Sequence, residues 1–120
     1  MTPESLAALR VSEEIELVTT GRRSGRPHAV TLWSAYQHGA LWLRTDSDAD
    51  WYRNLLAEPR CRVRFGAHEI EGRFEPVADH ERGLRQLIAL WRQKYGNEWV
   101  GDWYVERGRI PLCVRVVNAA

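Results

Sequence analysis

The chain is poor in the residues that staple small folds. It has two cysteines, Cys61 and Cys113, and one lysine, Lys94. The cysteines lie far apart and fit no ligand spacing, so neither a disulfide framework nor a cysteine-held metal is expected. A chain of 120 residues can bury a core without either. No apolar run approaches the roughly 20 residues of a membrane span. The first residues, MTPESLAALRVSEE, lack the basic and apolar regions of a secretory signal. Two free thiols and no leader point to a cytoplasmic protein. Charge of one sign is also missing. The formal net charge is +1, so no strong field draws the chain to nucleic acid or to a membrane surface.

The usual catalytic templates are absent too. His28, His38, His68 and His80 show no metal-ligand spacing, so no metal site is expected. There is no nucleophile elbow, no paired-cysteine motif and no pair of carboxylates set apart for acid–base work. If the protein is an enzyme, a bound cofactor carries the chemistry.

What is present fits one globular domain over residues 1–120, with a hydrophobic fraction of 44% and a charged fraction of 28%. Residues 3–10 read as a short helix with Pro3 in its first turn. EIELVTT (14–20), HAVTLWSAYQ (28–37) and ALWLRT (40–45) read as three closely joined strands, an antiparallel meander. DSDADWYRNLLAEP (46–59) switches to helical period, with Asp46, Ser47 or Asp48 as its cap and Pro59 as its stop. CRVRF (61–65) and EIEGRFEPV (69–77) alternate again. DHERGLRQLIALWRQKYG (79–96) is the longest helix, with Leu84, Leu87, Ile88 and Trp91 as its apolar stripe. Residues 97–109 are aromatic and irregular, and IPLCVRVV (110–117) closes the chain as a sixth strand. The fold expected is α+β: about six mainly antiparallel strands curled into a barrel, with inserted helices.

Three stretches carry chemistry. The first is TTGRRSGRPH (19–28), a turn with three arginines. Backbone amides in a glycine-bearing turn can converge on an anion. Arg22, Arg23 and Arg26 could add charge-assisted bonds, and Thr19, Thr20 and Ser24 hydroxyls. The competing reading is a solvated hairpin turn, which uses the same residue types. The second is DWYRNLLAEPRCRV (50–63), where Trp51 and Asn54 sit at a helix start, a place that favours a nearby anion. Trp51 could equally be a core anchor. The third is the six tryptophans, which suit a pocket for a flat ring, a dimer interface or a core. Tyr95 and Tyr104 could each donate a proton or be packed with the hydroxyl satisfied.

Three blocks together resemble the deazaflavin-dependent nitroreductase family, within the flavin/deazaflavin split-barrel superfamily that includes pyridoxamine-phosphate oxidases. ELVTTGRRSGRPHAVTLW is similar to its Thr-Thr-Gly-Arg-Lys-Ser-Gly-x-Pro-Arg block. DWYRNLLAEPRCRV resembles its Ala-Trp-Tyr-x-Asn-Leu-x-Ala-Asn-Pro block, and RGRIPLCVRVV its closing strand. The resemblance implies a split β-barrel, a deazaflavin coenzyme (F-420 type) or FMN as cofactor, and hydride transfer to a small organic acceptor. Carried over, the phosphate grip falls to Arg22, Arg23 and Ser24, with Thr20, Gly25, Arg26 and His28 beside them. Trp51 and Asn54 would flank the same tail, Thr31, Leu32 and Trp33 would border the ring, and Tyr104 would donate a proton or touch substrate. Two departures stand out. His28 occupies a position where the family usually has arginine, and Asp46, Asp48 and Asp50 make the following loop acidic. A non-catalytic binding module, or a member that has lost its cofactor, are the alternatives they leave open. A homodimer is expected, because so many tryptophans call for a covering partner.

Overall fold

A computed structural model describes residues 1–98, 100 and 109–117. In chain order the elements are α1 (Pro3–Val11), β1 (Ile15–Thr20), β2 (Pro27–Leu32), β3 (Ala35–Gln37), β4 (Ala40–Asp46), α2 (Asp50–Ala57), β5 (Arg60–Phe65), β6 (His68–Glu75), α3 (His80–Tyr95) and β7 (Arg109–Val116). The strands form one antiparallel sheet in the order β2-β1-β5-β6-β7-β4-β3. This is the α+β split barrel expected, with seven strands rather than six.

The extra strand comes from a break in 28–37. β2 pairs with β1 and β3 pairs with β4, so the two halves of that apolar run lie at opposite edges of the sheet. The simple meander is therefore corrected. The break falls at Trp33 and Ser34, and side chains of α3 claim the Ser34 backbone. The Ser34 amide donates to the Tyr95 hydroxyl at 3.0 Å, and its carbonyl accepts from Lys94 Nζ at 2.7 Å. Backbone groups bonded this way are withdrawn from the ladder.

Alternation explains the two faces. In β5, Cys61, Val63 and Phe65 are buried and Arg60, Arg62 and Arg64 are exposed. Leu17, Leu41, Leu43, Val63, Leu112 and Val114 fill the barrel interior with Leu9 and Leu55 from α1 and α2. Trp42, between Leu41 and Leu43, points the other way and joins a second cluster under α3 with Ala35, Leu84, Leu87, Ile88 and Trp91. Each of those α3 side chains contributes about 1.5–3 kcal/mol by its burial.

The helix ends follow mostly familiar chemistry. Thr2 caps α1 through the Ser5 amide at 3.0 Å, and Asp79 caps α3 through the Arg82 amide at 3.1 Å. Gly96, at φ +94°, ends α3. α2 differs from expectation: its cap is Ala49, with no side-chain hydrogen bond. Asp46 belongs to β4 instead, and its carboxylate is paired with Arg109.

Candidate functional site

The β1–β2 turn is built from the inside. The Gly21 amide donates to the Arg26 carbonyl and the Gly25 amide to the Gly21 carbonyl, both at 2.8 Å. The Arg26 amide donates to Ser24 Oγ at 3.1 Å, and Gly25 takes φ +70°. Gly21 has a separate reason to be glycine. A Cβ there would stand 2.6 Å from Ser24 Oγ and 2.7 Å from His28 Nε2. These two side chains face each other across the turn at 3.4 Å.

α2 fastens the turn from 28 or more residues away. Asn54 is buried, and its amide nitrogen donates to Thr19 Oγ1 at 3.3 Å. Its Oδ1 accepts from the Arg22 backbone amide at 3.2 Å and from Arg22 Nη1 at 2.8 Å. Arg22 also donates from Nη1 to the Asp50 carbonyl at 3.3 Å and from Nη2 to Asp50 Oδ1 at 3.1 Å. The amides of Gly21, Arg22, Gly25 and Arg26 are thus committed within the protein. Those of Arg23 and Ser24 enter no hydrogen bond among the described residues, and neither does the Arg23 guanidinium.

A cleft of about 450 Å³ opens between this turn, β2 and α2. It is lined by Gly21, Arg22, Arg23, Ser24, His28, Ala29, Val30, Asp50, Trp51 and Asn54. Its size is in the ordinary range for a small-molecule site, about 300–1,000 Å³. One end is cationic and rich in donors; the other is apolar, with Val30 and the half-buried Trp51. Such a lining can hold a phosphate-bearing molecule with a flat apolar body. The fit to a flavin-like tail rests on three free donors at the cationic end: two backbone amides and one guanidinium.

Of the residues expected from the sequence, Arg22, Arg23, Ser24, His28, Trp51 and Asn54 are brought together here. The others go elsewhere. Thr20 and Gly25 border a separate depression of about 670 Å³ over β1, β5 and β6, with Arg60, Arg62, Arg64 and Arg73. Arg26 is exposed on the turn, and Thr31 is exposed opposite Glu16. Alternation puts Thr31 on the other face of β2 from His28 and Val30. Leu32 packs on the barrel core. Trp33 is drawn under α3, stacked on Tyr95 with ring centroids 4.2 Å apart. Tyr104 lies outside the described residues. Tyr95 is not a free proton donor. Its hydroxyl accepts from Ser34 and donates to the Glu13 carbonyl at 2.6 Å, and burial pushes it up to about 12.

Gly21, Ala29, Val30 and Asp50 were not singled out as cleft residues in the sequence. Ala29 and Val30 could have been found by following β2 on from His28. The pairing of Asp50 with Arg22 has no local signal. Of the four described tryptophans, Trp51 packs against the barrel core, and Trp33, Trp42 and Trp91 lie in the cluster under α3.

A family model for F420H(2)-dependent quinone reductase matches residues 6–118. The chain belongs to that family. No curated protein matches the chain. Among solved structures, this reductase-family chain is similar to a candidate 5-nitroimidazole antibiotic resistance protein from Bacteroides thetaiotaomicron. The two are 15% identical, with TM-score 0.80 over 97% of this chain and 80% of that one. HutZ, the heme storage protein of Vibrio cholerae, is 14% identical with TM-score 0.77, covering 98% and 90% of the two chains. An F420 reductase is 18% identical with TM-score 0.72, covering 92% and 91%. At such identities the likeness shows the shared split-barrel fold of this family member and nothing finer. Among its described residues, no helix is long and apolar enough to cross a membrane, and no cluster of three His, Cys, Asp or Glu could hold a metal.

Proposed function

We propose that the cleft between the 21–28 turn and α2 binds a deazaflavin coenzyme by its phosphate, with FMN as the alternative, and that the protein passes a hydride to a small organic acceptor such as a quinone. The observation that carries this reading is the convergence of Arg22, Arg23, Ser24, Trp51 and Asn54, from two separate motif blocks, on one cleft. Family membership supports it.

A reduced deazaflavin supplies the hydride chemistry when bound. The protein's own residues bind and orient. The Arg23 guanidinium and the amides of Arg23 and Ser24 offer hydrogen bonds to phosphate oxygens. Arg22 adds charge beside them, held in place by Asn54. Val30 and Trp51 offer apolar surface that excludes water from a flat body. His28 lines the same cleft, with its Nε2 3.4 Å from Ser24 Oγ.

The test is titration of the purified protein with the deazaflavin coenzyme and with FMN, followed by fluorescence, and then an assay of coenzyme-dependent quinone reduction. Binding with turnover is expected. No binding of either at high micromolar protein would sink the reading. A second reading is a non-catalytic binding module on the same barrel. The Arg22–Asp50 pair favours it, since a carboxylate already sits at the anion end. Binding without any reduction of quinone or dye would select it. The homodimer is likewise a proposal, checked by sedimentation at several concentrations.

A further inference from the structure

We propose that Lys94 is a covalent modification site, where a small activated acyl group adds to the amine and weakens the fastening of β2 under α3. The site lies at the far end of β2 from the cleft and does not depend on what the cleft binds.

Lys94 is the only lysine of the chain, and it stands next to the last residue of α3. Its Nζ donates to the Ser34 carbonyl at 2.7 Å and lies 5.0 Å from the centroid of the Tyr95 ring. These contacts hold the amine in one place. A lysine on a solvated helix face has water or a carboxylate for company instead. Lys94 has no ion-pair partner among the described residues. The acids Glu13 and Glu14, between α1 and β1, act on the Tyr95 hydroxyl. The Lys94 side chain is half-buried, so a small molecule can reach it from solvent.

Only the neutral amine is a nucleophile, and desolvation is one way proteins make it so. Burial lowers the Lys94 ammonium from 10.5 to about 8, with no charged neighbour adding to the shift or opposing it. At pH 8 about half of it is neutral, against less than about 1% of an ordinary lysine. The neutral amine still donates one N–H to the Ser34 carbonyl and keeps its lone pair free. That lone pair attacks the acyl carbonyl carbon. With an acyl phosphate, the C–N bond forms as the C–O bond to phosphate breaks. Phosphate leaves with the electron pair, and the displaced amine proton goes to water. Other nucleophiles of the fold compete poorly. Burial raises Tyr95 and Cys61 to about 12, and it raises Cys113 as well. The product amide is neutral. It loses the attraction to the Tyr95 ring and the charge-assisted bond to Ser34, where β2 parts from β3.

The experiment treats the Arg85→Lys variant with acetyl phosphate from pH 7 to 10 and follows each site by peptide mapping and mass spectrometry. Arg85 is exposed on α3, so the lysine placed there is an ordinary reference in the same molecule. At pH 8, Lys94 is expected to acylate about tenfold faster than the reference or more, its larger neutral fraction being partly offset by its lower basicity. Its rate should level off above about pH 9, while that of the reference keeps rising. In denaturant the two rates should converge. An equal or slower rate at Lys94, or an advantage that survives unfolding, would overturn the proposal. The consequence is read on wild type. Acetylated protein should unfold at a lower denaturant concentration than untreated protein, and Lys94→Arg treated in the same way should not shift. An unchanged midpoint for fully acetylated wild type would overturn the weakened fastening.

Discussion

Strand β2 is fastened at both ends by a helix, and the two fastenings differ in kind. At its start, α2 holds the 21–26 turn through Asn54 and Asp50, at the mouth of an open cleft. At its end, α3 holds Trp33 and Ser34 through Tyr95 and Lys94, under a packed aromatic cluster. In the first, guanidinium and amide donors are left over. In the second, the hydroxyl of Tyr95, the amide and carbonyl of Ser34 and the ring of Trp33 are all engaged. Uncommitted donors beside solvent suit binding; committed ones under a helix suit stability. Mutations should therefore separate the two ends cleanly.

The largest effect is expected at the α3 end. Tyr95→Ala removes the ring stacked on Trp33 and strands the Ser34 amide. It should cost about 3 kcal/mol of stability in denaturant unfolding while leaving pyrophosphate affinity within about twofold. A loss of affinity equal to the loss of stability would show that the two ends are coupled. Next comes the double change Arg22→Ala, Arg23→Ala. It should weaken FMN or pyrophosphate binding by tenfold or more, and thermal unfolding should move by only about 2 °C. Unchanged binding would make the turn an ordinary hairpin.

Gly21→Ala should act on the same end more gently. The new Cβ would meet the ends of Ser24 and His28, which can move aside. Stability should fall by less than about 1 kcal/mol, and affinity should drop a few-fold because Ser24 is pushed from its place. The smallest effect is a pH slope at the α3 end. Burial lowers the Lys94 ammonium from 10.5 to about 8. Between those values the unfolded chain binds a proton that the folded chain does not, so stability rises with pH across that window. Above about pH 10, Tyr95 works the other way: raised from 10.0 to about 12, it keeps a proton that the unfolded chain loses. Wild type should therefore gain on Lys94→Met from pH 8 to 10, read as the difference in denaturation midpoint. A flat difference would mean that Lys94 is not desolvated on Ser34.

Much of this was legible in the sequence, for identifiable reasons. The alternation of CRVRF and the period of LRQLIALW each depend on one element meeting one apolar face. The chemistry of TTGRRSGRPH could be narrowed to a turn or an anion grip because glycine, serine and arginine have restricted uses. The run HAVTLWSAYQ misled because β-propensity is continuous through it. What interrupts it is Tyr95 and Lys94, some sixty residues later. Trp33 went the same way: an aromatic next to the cleft in sequence became a ring beneath α3.

The sequence by itself determined the strand and helix periods and the kinds of side chain available to hold an anion. These are properties of a residue and its near neighbours. Only the tertiary structure decided where β2 and β3 part, which six of the expected residues share a cleft, and that Asp50 faces Arg22. Those depend on distances between residues far apart in the chain, and such distances exist only once the sheet has closed on its helices.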